Sequence, residues 1–432
     1  MLEGDGDKVK DIFSTYWLNR KDEYRLPPRI TFGFGAIEQA GDVAEQISKN
    51  KDVIIITDKF LLNSGIVEQL SSILKSHNFV VDAYAAEAAE PSVEQVSAVI
   101  KEASRKDYGL VVGLGGGSSL DRAKIAACFA GSQDKMEDYF APSTKPLVHS
   151  KPKLLIPTTA GTGSEASNTA VVIVPEHDIG TAKTWITSSA ILAEASIVDP
   201  ALMVGLPPKV TANTGMDALS HSAEGVISKQ ANSFSDALAL EGVRLVSENL
   251  RSAYQEGDNL EARSNMAMAA TLGGIVISFP WVSGPATLGH AASEGISPKY
   301  NVPHGAACAV LLPYVYWFNL KSSYGENKLA IIAEAMGVDT YGMAQRDAAV
   351  TSIEATFDLL EDLDMPTDLK SFGMKEEDIP GVSKYILERS ERMYAMSLFN
   401  PVKATVENIN EFFYTAYEGR EYLEKLLAKR QW

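Results

Sequence analysis

The sequence predicts an α/β amino-terminal domain built on a parallel sheet, followed by an all-α carboxyl-terminal domain. Three observations predict it. The chain has 432 residues, more than one hydrophobic core usually serves. Its first half alternates short β-branched runs with segments of helical periodicity, the pattern of a parallel sheet covered on both faces. Beyond Pro207 the strand signal fades and helical periodicity takes over.

The elements follow in order. Val53–Thr57, Phe79–Ala83, Gly109–Val112 and Lys153–Ile156 read as continuous apolar strands. Gly65–Ser76, Ser92–Arg105 and Leu120–Ala130 carry apolar residues at helical spacing between them. In the second half Thr211–Ser228, Phe234–Tyr254, Leu260–Ile277, Lys328–Met336, Ala348–Leu363, Thr405–Tyr417 and Glu421–Lys429 read as helices. Leu206-Pro-Pro208 punctuates the change, so the expected domains are residues 1–205 and 206–432. Ala306–Phe318 is the longest apolar stretch. Pro313 interrupts it and it falls short of the roughly 20 residues a membrane span needs, so it reads as buried core.

Composition excludes several function classes. With 39 Lys+Arg against 56 Asp+Glu, the net charge is −17. That charge opposes phosphate backbones and anionic membranes, so neither nucleic acid nor a membrane is an expected partner. Cys128 and Cys308 are too few for a disulfide framework or a cysteine-based zinc site, and they fit a reducing, cytoplasmic compartment. The acidic start of the chain lacks the pattern of a signal peptide.

Two loops then suggest a nucleotide. Gly115-Gly-Gly-Ser118 follows a strand and opens a helix, where backbone N–H groups and the positive helix end can face a phosphate. A tight strand-to-helix turn would use the same residues. Pro157-Thr-Thr-Ala-Gly-Thr-Gly-Ser-Glu165 follows the next strand with hydroxyls and bare backbone. Asp58 ends the strand at 53–57. It can accept from a ribose 2′-hydroxyl and repel a 2′-phosphate, or it can cap the segment after it.

Three of the six histidines fall in the helical half. Asp217 and His221 sit four apart on one helix face. The flanking Met216, Ala218 and Leu219 imply burial, where an unpaired carboxylate is costly and a divalent cation would neutralise it. His290 lies in the helical stretch 286–294, and His304 in the turn-like Pro303-His-Gly305. One Asp and three His suit Fe²⁺ or Zn²⁺, with room for a substrate oxygen. Each residue taken singly has a plain structural reading, an intrahelical pair or a satisfied core histidine; jointly they favour the metal. His77, His149 and His177 lack a partner pattern and read as surface residues.

With these residues in view, the chain resembles the iron-containing alcohol dehydrogenases, the group III NAD(P)-dependent family. The resemblance runs from Arg29–Ile37 through Thr57-Asp-Lys59, Gly115–Lys124, Ile156–Glu165, Gly215–His221, His290 and Pro303-His-Gly305 to Asn400–Thr405. The ordered Asp-x-x-x-His, His and Pro-His-Gly series is its most specific part.

The resemblance implies a Rossmann-like domain binding NAD(P), a helical domain binding the metal, and a cleft between them. It implies Asp217, His221, His290 and His304 as ligands of Fe²⁺ or Zn²⁺. It places Gly116, Gly117, Ser118 and Asp121 at the pyrophosphate, Thr158, Thr159 and Thr162 near the nicotinamide, and Lys183 at the ribose. Asp58 matches the acidic residue that favours NAD over NADP, and Trp281 a bulky substrate-pocket residue. The expected reaction is hydride transfer between NAD(H) and a small or polyhydroxylated primary alcohol or aldehyde, in a homo-oligomer. A dehydroquinate-synthase-like lyase, using NAD and a metal transiently, is the alternative. Glu294 departs from the family, many of whose members carry a second histidine there; it is expected to relay protons or to shape the pocket, disfavouring anionic substrates unless neutralised.

Overall fold

The structure, a computed structural model, describes residues 24–429 apart from 88–89, 177–179, 280–281, 283–286 and 395. Eight strands are described: β1 (Ile30–Phe32), β2 (Asp52–Asp58), β3 (Val80–Ala86), β4 (Leu110–Gly115), β5 (Lys153–Pro157), β6 (Thr169–Glu176), β7 (Gly180–Thr187) and β8 (Ala195–Val198). Six form one sheet in the order β1-β8-β5-β4-β2-β3, with every pairing parallel. Alternate residues of each central strand enter different cores. Val53 and Ile55 pack with Val112 and Ile156 on one face, while Ile54 and Ile56 pack with Val111 and Leu155 on the other. Burial on both sides is why these strands read as unbroken apolar runs.

Helices α1 (Ala40–Ile47), α2 (Ile66–Ser76), α3 (Val93–Ala103) and α4 (Gly117–Phe129) cover the sheet. Helix α2 buries Val67, Leu70 and Leu74 on one stripe. Ser92 and Gln95 close a capping box at the start of α3. From β2 the chain goes to β3 on one side and then returns to place β4 on the other. That switch opens a crevice at the carboxyl ends of β2 and β4, where open α/β sheets bind ligands. Strands β4 and β5 end together, with Gly115 registered against Pro157, so the loops after them are neighbours.

Strands β6 and β7 form a separate antiparallel ribbon. The alternation reading found neither this ribbon nor the short strands β1, at the sheet edge, and β8 beside it. Strands of three and four residues offer too few positions for a pattern.

The sheet ends with β8, and the first long helix begins at Pro208. The helical half comprises α5 (Pro208–Ile227), α6 (Ser233–Gln255), α7 (Leu260–Ile277), α8 (Leu288–Ile296), α9 (His304–Asn319), α10 (Ser323–Ala335), α11 (Gln345–Asp362), α12 (Ile379–Tyr394), α13 (Val406–Glu418) and α14 (Arg420–Ala428). Helix α5 is central. Nearly every residue from Thr211 to Ile227 is buried, against α6, α7 and α9. Helix α9 corrects one sequence expectation, since His304 opens a long helix rather than sitting in a turn; Ala306–Phe318 is buried core, as expected, and is helical through Pro313. A helix buried on all sides has no polar face to reveal its period.

The halves are joined closely. The core of the helical half also takes in Ala160, Ala166 and Val198. At Gly163 and Gly274 backbone meets backbone, so that a Cβ on Gly274 would lie 2.1 Å from the Gly163 oxygen. Only glycine at both positions lets the loop after β5 sit on α7. Asn168 adds hydrogen bonds from its N–H (3.1 Å) and side-chain amide (3.2 Å) to Ser278. No described helix is long and apolar enough to cross a membrane.

Candidate active site

A cavity of about 800 Å³ lies between the halves, with Gly117, Ser118, Thr162 and Lys183 on the sheet side and Asp217, His221, His290 and His304 on the helical side. Helix α5 presents Asp217 and His221 one turn apart, α8 presents His290, and α9 presents His304 from its first residue. Gly305 lets α9 start against α5, since a Cβ there would lie 2.1 Å from the Asn213 carbonyl.

The four side chains predicted as metal ligands come together. Asp217 Oδ1 lies 4.0 Å from His221 Nε2, 3.8 Å from His290 Nε2 and 3.8 Å from His304 Nε2. The His221 and His290 rings stack with centroids 4.6 Å apart. Asp217 Oδ1 and His290 Nε2 are buried and have no hydrogen-bond partner among the described residues. Such atoms are costly unless something fills the space between them.

The neighbouring hydrogen bonds say what that something is. His290 Nδ1 is 2.5 Å from Glu224 Oε1. Glu224 Oε2 accepts from Thr287 Oγ1 (2.5 Å) and from the N–H groups of Gly289 (3.0 Å) and His290 (3.2 Å). An acceptor-only carboxylate assigns the proton to Nδ1 and leaves the Nε2 lone pair facing Asp217. Ser293 donates its hydroxyl proton to the His290 carbonyl (2.8 Å), so it can only accept from His304 Nδ1 (3.4 Å). That again turns a bare Nε2 toward Asp217. Lone pairs converging on a carboxylate oxygen call for a cation, and the donor chemistry fits Fe²⁺ or Zn²⁺.

Electrostatics agree. Burial pushes the His221 pKa down to about 4, against the opposing pull of Asp217. Burial and the Lys183 charge hold His304 well below the usual imidazole range. Burial works on His290 in the same direction, but the Cys308 sulfur and the Glu224 carboxylate overcome it and raise that group. The site therefore offers two neutral imidazoles, His221 and His304, and around His290 a negative surround that favours a positive occupant.

On the sheet side, Gly116 and Gly117 form the start of α4, where the Gly117 and Ser118 amides precede the first helical hydrogen bond, from the Ser119 N–H to the Gly116 carbonyl (2.9 Å). A Cβ on Gly117 would press on Thr162 at 2.7 Å, and one on Gly116 would touch Thr159 at 3.4 Å, so the two loops pack against each other. Thr158 is buried and its N–H donates to the Gly115 carbonyl (3.0 Å). Asp121 is engaged internally. Its Oδ1 accepts from Ser164 Oγ (2.6 Å) and its Oδ2 from the Val171 N–H (3.0 Å). Asp58 does two things: Oδ1 caps the one-turn helix 59–62 through the Leu61 N–H (2.9 Å), and Oδ2 accepts from Ser119 at 3.4 Å. Lys183 pairs with Glu90 at 2.7 Å.

Glu294 lines the cavity, and its Oε2 accepts from Arg389 Nε at 2.9 Å in a pair whose side chains are only 5% and 6% exposed. Trp281 lies outside the described residues, as does His177; His149 is exposed and His77 half-buried beside Asp42 and Glu45.

Sequence reasoning missed Glu224 and Arg389. Glu224 carried a usable signal, since it stands seven residues after Asp217 and three after His221 on the same face of α5. Arg389 carried none, because it reaches the site only through the tertiary placement of α12.

Comparison with known proteins decides the lineage. The family model for iron-containing alcohol dehydrogenases matches residues 27–200, and the carboxyl-terminal model of the Fe-containing alcohol dehydrogenase family matches residues 211–417. The chain belongs to the iron-containing alcohol dehydrogenase family. It is an alcohol dehydrogenase, and the lyase alternative gives way to that. Among its relatives, long-chain-alcohol dehydrogenase 1 of Geobacillus thermodenitrificans is 33% identical over 388 residues, 89% of this chain and 95% of the relative. A crystal structure of 1,3-propanediol oxidoreductase superposes with a TM-score of 0.83 at 33% identity, covering 92% of this chain and all of that one. Sulfoacetaldehyde reductase from Bifidobacterium kashiwanohense, solved in complex with NAD⁺, gives a TM-score of 0.79 at 29% identity over 92% of this chain and 99% of that one.

Proposed function

We propose that this alcohol dehydrogenase transfers hydride between NAD(H) and a small or polyhydroxylated primary alcohol or aldehyde. Asp217, His221, His290 and His304 would hold Fe²⁺ or Zn²⁺. The convergence of Asp217 Oδ1 and His290 Nε2 beneath the shared cavity carries this reading. When bound, the cation supplies Lewis-acid activation of the alcohol oxygen and the nicotinamide supplies the hydride acceptor.

The remaining roles belong to the chain. Glu224 and Ser293 orient two imidazoles. Gly116, Gly117 and Ser118 offer first-turn amides to the pyrophosphate, and Thr159 and Thr162 pack that loop close. Asp121, with both oxygens engaged, positions the loops for the pyrophosphate without touching it. Thr158 supports the nicotinamide end through backbone, and Lys183 faces the ribose. Asp58 disfavours a 2′-phosphate, which selects NAD over NADP. Residues 1–205 would carry the cofactor and 206–432 the metal, in a cytoplasmic homo-oligomer. The Arg389 pairing favours Glu294 as a neutralised pocket wall over a proton relay, which removes its bar to anionic substrates.

The test is NADH formation by the purified protein across a panel of short primary alcohols, diols and glycerol-like polyols, with NADP in parallel. Turnover with NAD and at least one small primary alcohol is expected. Turnover confined to NADP, or to secondary alcohols, would refute the reading.

A further inference from the structure

The two cysteines differ in a way the family assignment does not use. Cys128 is buried in the sheet half, with its Sγ near the Ala190 carbonyl (3.3 Å) and Ser150 (3.8 Å). Cys308 is one turn beyond His304 on α9 and 1% exposed. Its Sγ lies 3.7 Å from His304 Nε2 and 3.8 Å from Nδ1. Asp217, His290, His304 and Cys308 each present one donor atom, and these atoms all lie within 4.8 Å of one another. Two of them, Asp217 Oδ1 and His290 Nε2, are the buried atoms with no described partner.

The spacing can be judged against coordination geometry. Metal–nitrogen and metal–oxygen bonds of roughly 2.0–2.1 Å, and metal–sulfur bonds of roughly 2.3 Å, place neighbouring donors of a five-donor set roughly 2.9–3.7 Å apart. Cys308 Sγ lies 3.7 Å from His304 Nε2 and Asp217 Oδ1 lies 3.8 Å from the His290 and His304 Nε2 atoms, with all four donors within 4.8 Å, so the set contracts to close around an ion. Helix α9 thus offers two donors at i and i+4, the spacing at which neighbouring turns present side chains to one point.

We propose that Cys308 is a further protein donor of the metal centre, binding from the buried side behind His304. This rests on the metal-site reading above. On binding, the S–H bond breaks, the sulfur lone pair forms the metal–sulfur bond, and the proton passes to solvent; no oxidant or reductant takes part. A thiolate added to one carboxylate and three imidazoles softens the donor set. It biases the site toward Zn²⁺ and Co²⁺ over harder ions and leaves the cavity side open for substrate.

Titration of the metal-stripped full chain with Co²⁺ alone tests this, followed by absorption spectroscopy at one cobalt per chain. The wild type and C128S should show a near-ultraviolet thiolate-to-cobalt charge-transfer band. C308S and C308A should bind cobalt with visible ligand-field bands but without that band. The Zn²⁺:Fe²⁺ affinity ratio should fall about tenfold in C308S. A wild-type spectrum at one bound cobalt that superimposes on that of C308S overturns the Cys308 proposal and leaves the metal site standing. Undiminished cobalt binding by D217A, or none by the wild type, overturns the site itself and the proposal with it. Melting temperatures of the cysteine variants confirm that each is folded.

Discussion

The two walls of the cavity are built on opposite principles. On the sheet side the buried charged groups Lys124, Asp121 and Glu165 are already engaged. Lys124 donates to Ser164 (2.8 Å), Ser167 (3.0 Å) and the Thr169 carbonyl (2.7 Å), Asp121 accepts from Ser164 and Val171, and Glu165 accepts from Thr271 at 2.9 Å. On the helical side Asp217 Oδ1 and His290 Nε2 are buried and face each other at 3.8 Å with no described partner. A wall that binds through backbone amides is complete before its ligand arrives. A wall that binds through converging lone pairs is completed by the ion. The difference teaches that cofactor and metal enter on separate terms: the first meets a preformed surface, the second finishes a network.

The sharpest way to break that comparison is D217A. It removes the atom on which three imidazoles converge, and stoichiometric metal binding should disappear with turnover. The expected loss in kcat/KM is about a thousandfold or more, matching several kcal/mol of Lewis-acid stabilisation. Metal content and steady-state kinetics measure it. Retained activity would mean the helical wall is not a metal wall.

Breaking the Glu294–Arg389 pair comes next. E294Q removes the countercharge from a buried guanidinium that still donates to the Lys183 carbonyl, and urea unfolding should show a loss of about 3 kcal/mol. The pH–rate profile should keep its shape if Glu294 is a wall, and lose one limb if it relays protons.

Glu224 should rank third. Each of its oxygens only accepts, one from His290 and the other from three donors, so a glutamine must aim its NH₂ at a donor in either orientation. Both E224A and E224Q should weaken metal binding about 10–100-fold, read by competition with a chelating dye. A variant that binds metal like the wild type would show that His290 is held by something else.

The smallest effect is expected on the sheet side. D58S keeps a good helix cap and removes the charge facing a 2′-phosphate. Its kcat/KM with NADP should rise about tenfold while the melting temperature stays unchanged. A fall in stability without any gain for NADP would leave Asp58 as a cap alone.

How much was legible beforehand follows from where each residue sits. The central strands were readable because burial on both faces makes Val53–Thr57 and its neighbours unbroken apolar runs. Asp217, His221, His290 and His304 stood out because acids and imidazoles are rare in apolar segments. Helix α9 was not readable, since all-round burial erases helical periodicity and Pro313 adds a false stop. The β6–β7 ribbon was missed because its strands alternate only weakly between buried and half-buried positions. Glu224 was readable from its place on α5, but its function needs α8 beside it. Arg389 and Cys308 become partners of the site only when α12 and α9 are folded against it. Chemistry carried on one element shows in sequence; chemistry assembled between elements does not.

Metal stripping, followed in parallel by NADH binding and by turnover, tests the central claim most directly. The stripped protein should bind NADH as tightly as before, by quenching or energy-transfer fluorescence, and show no alcohol-dependent NADH formation. One equivalent of Fe²⁺ or Zn²⁺ per chain should restore turnover and raise the melting temperature. Full turnover by protein shown to be metal-free would contradict the account.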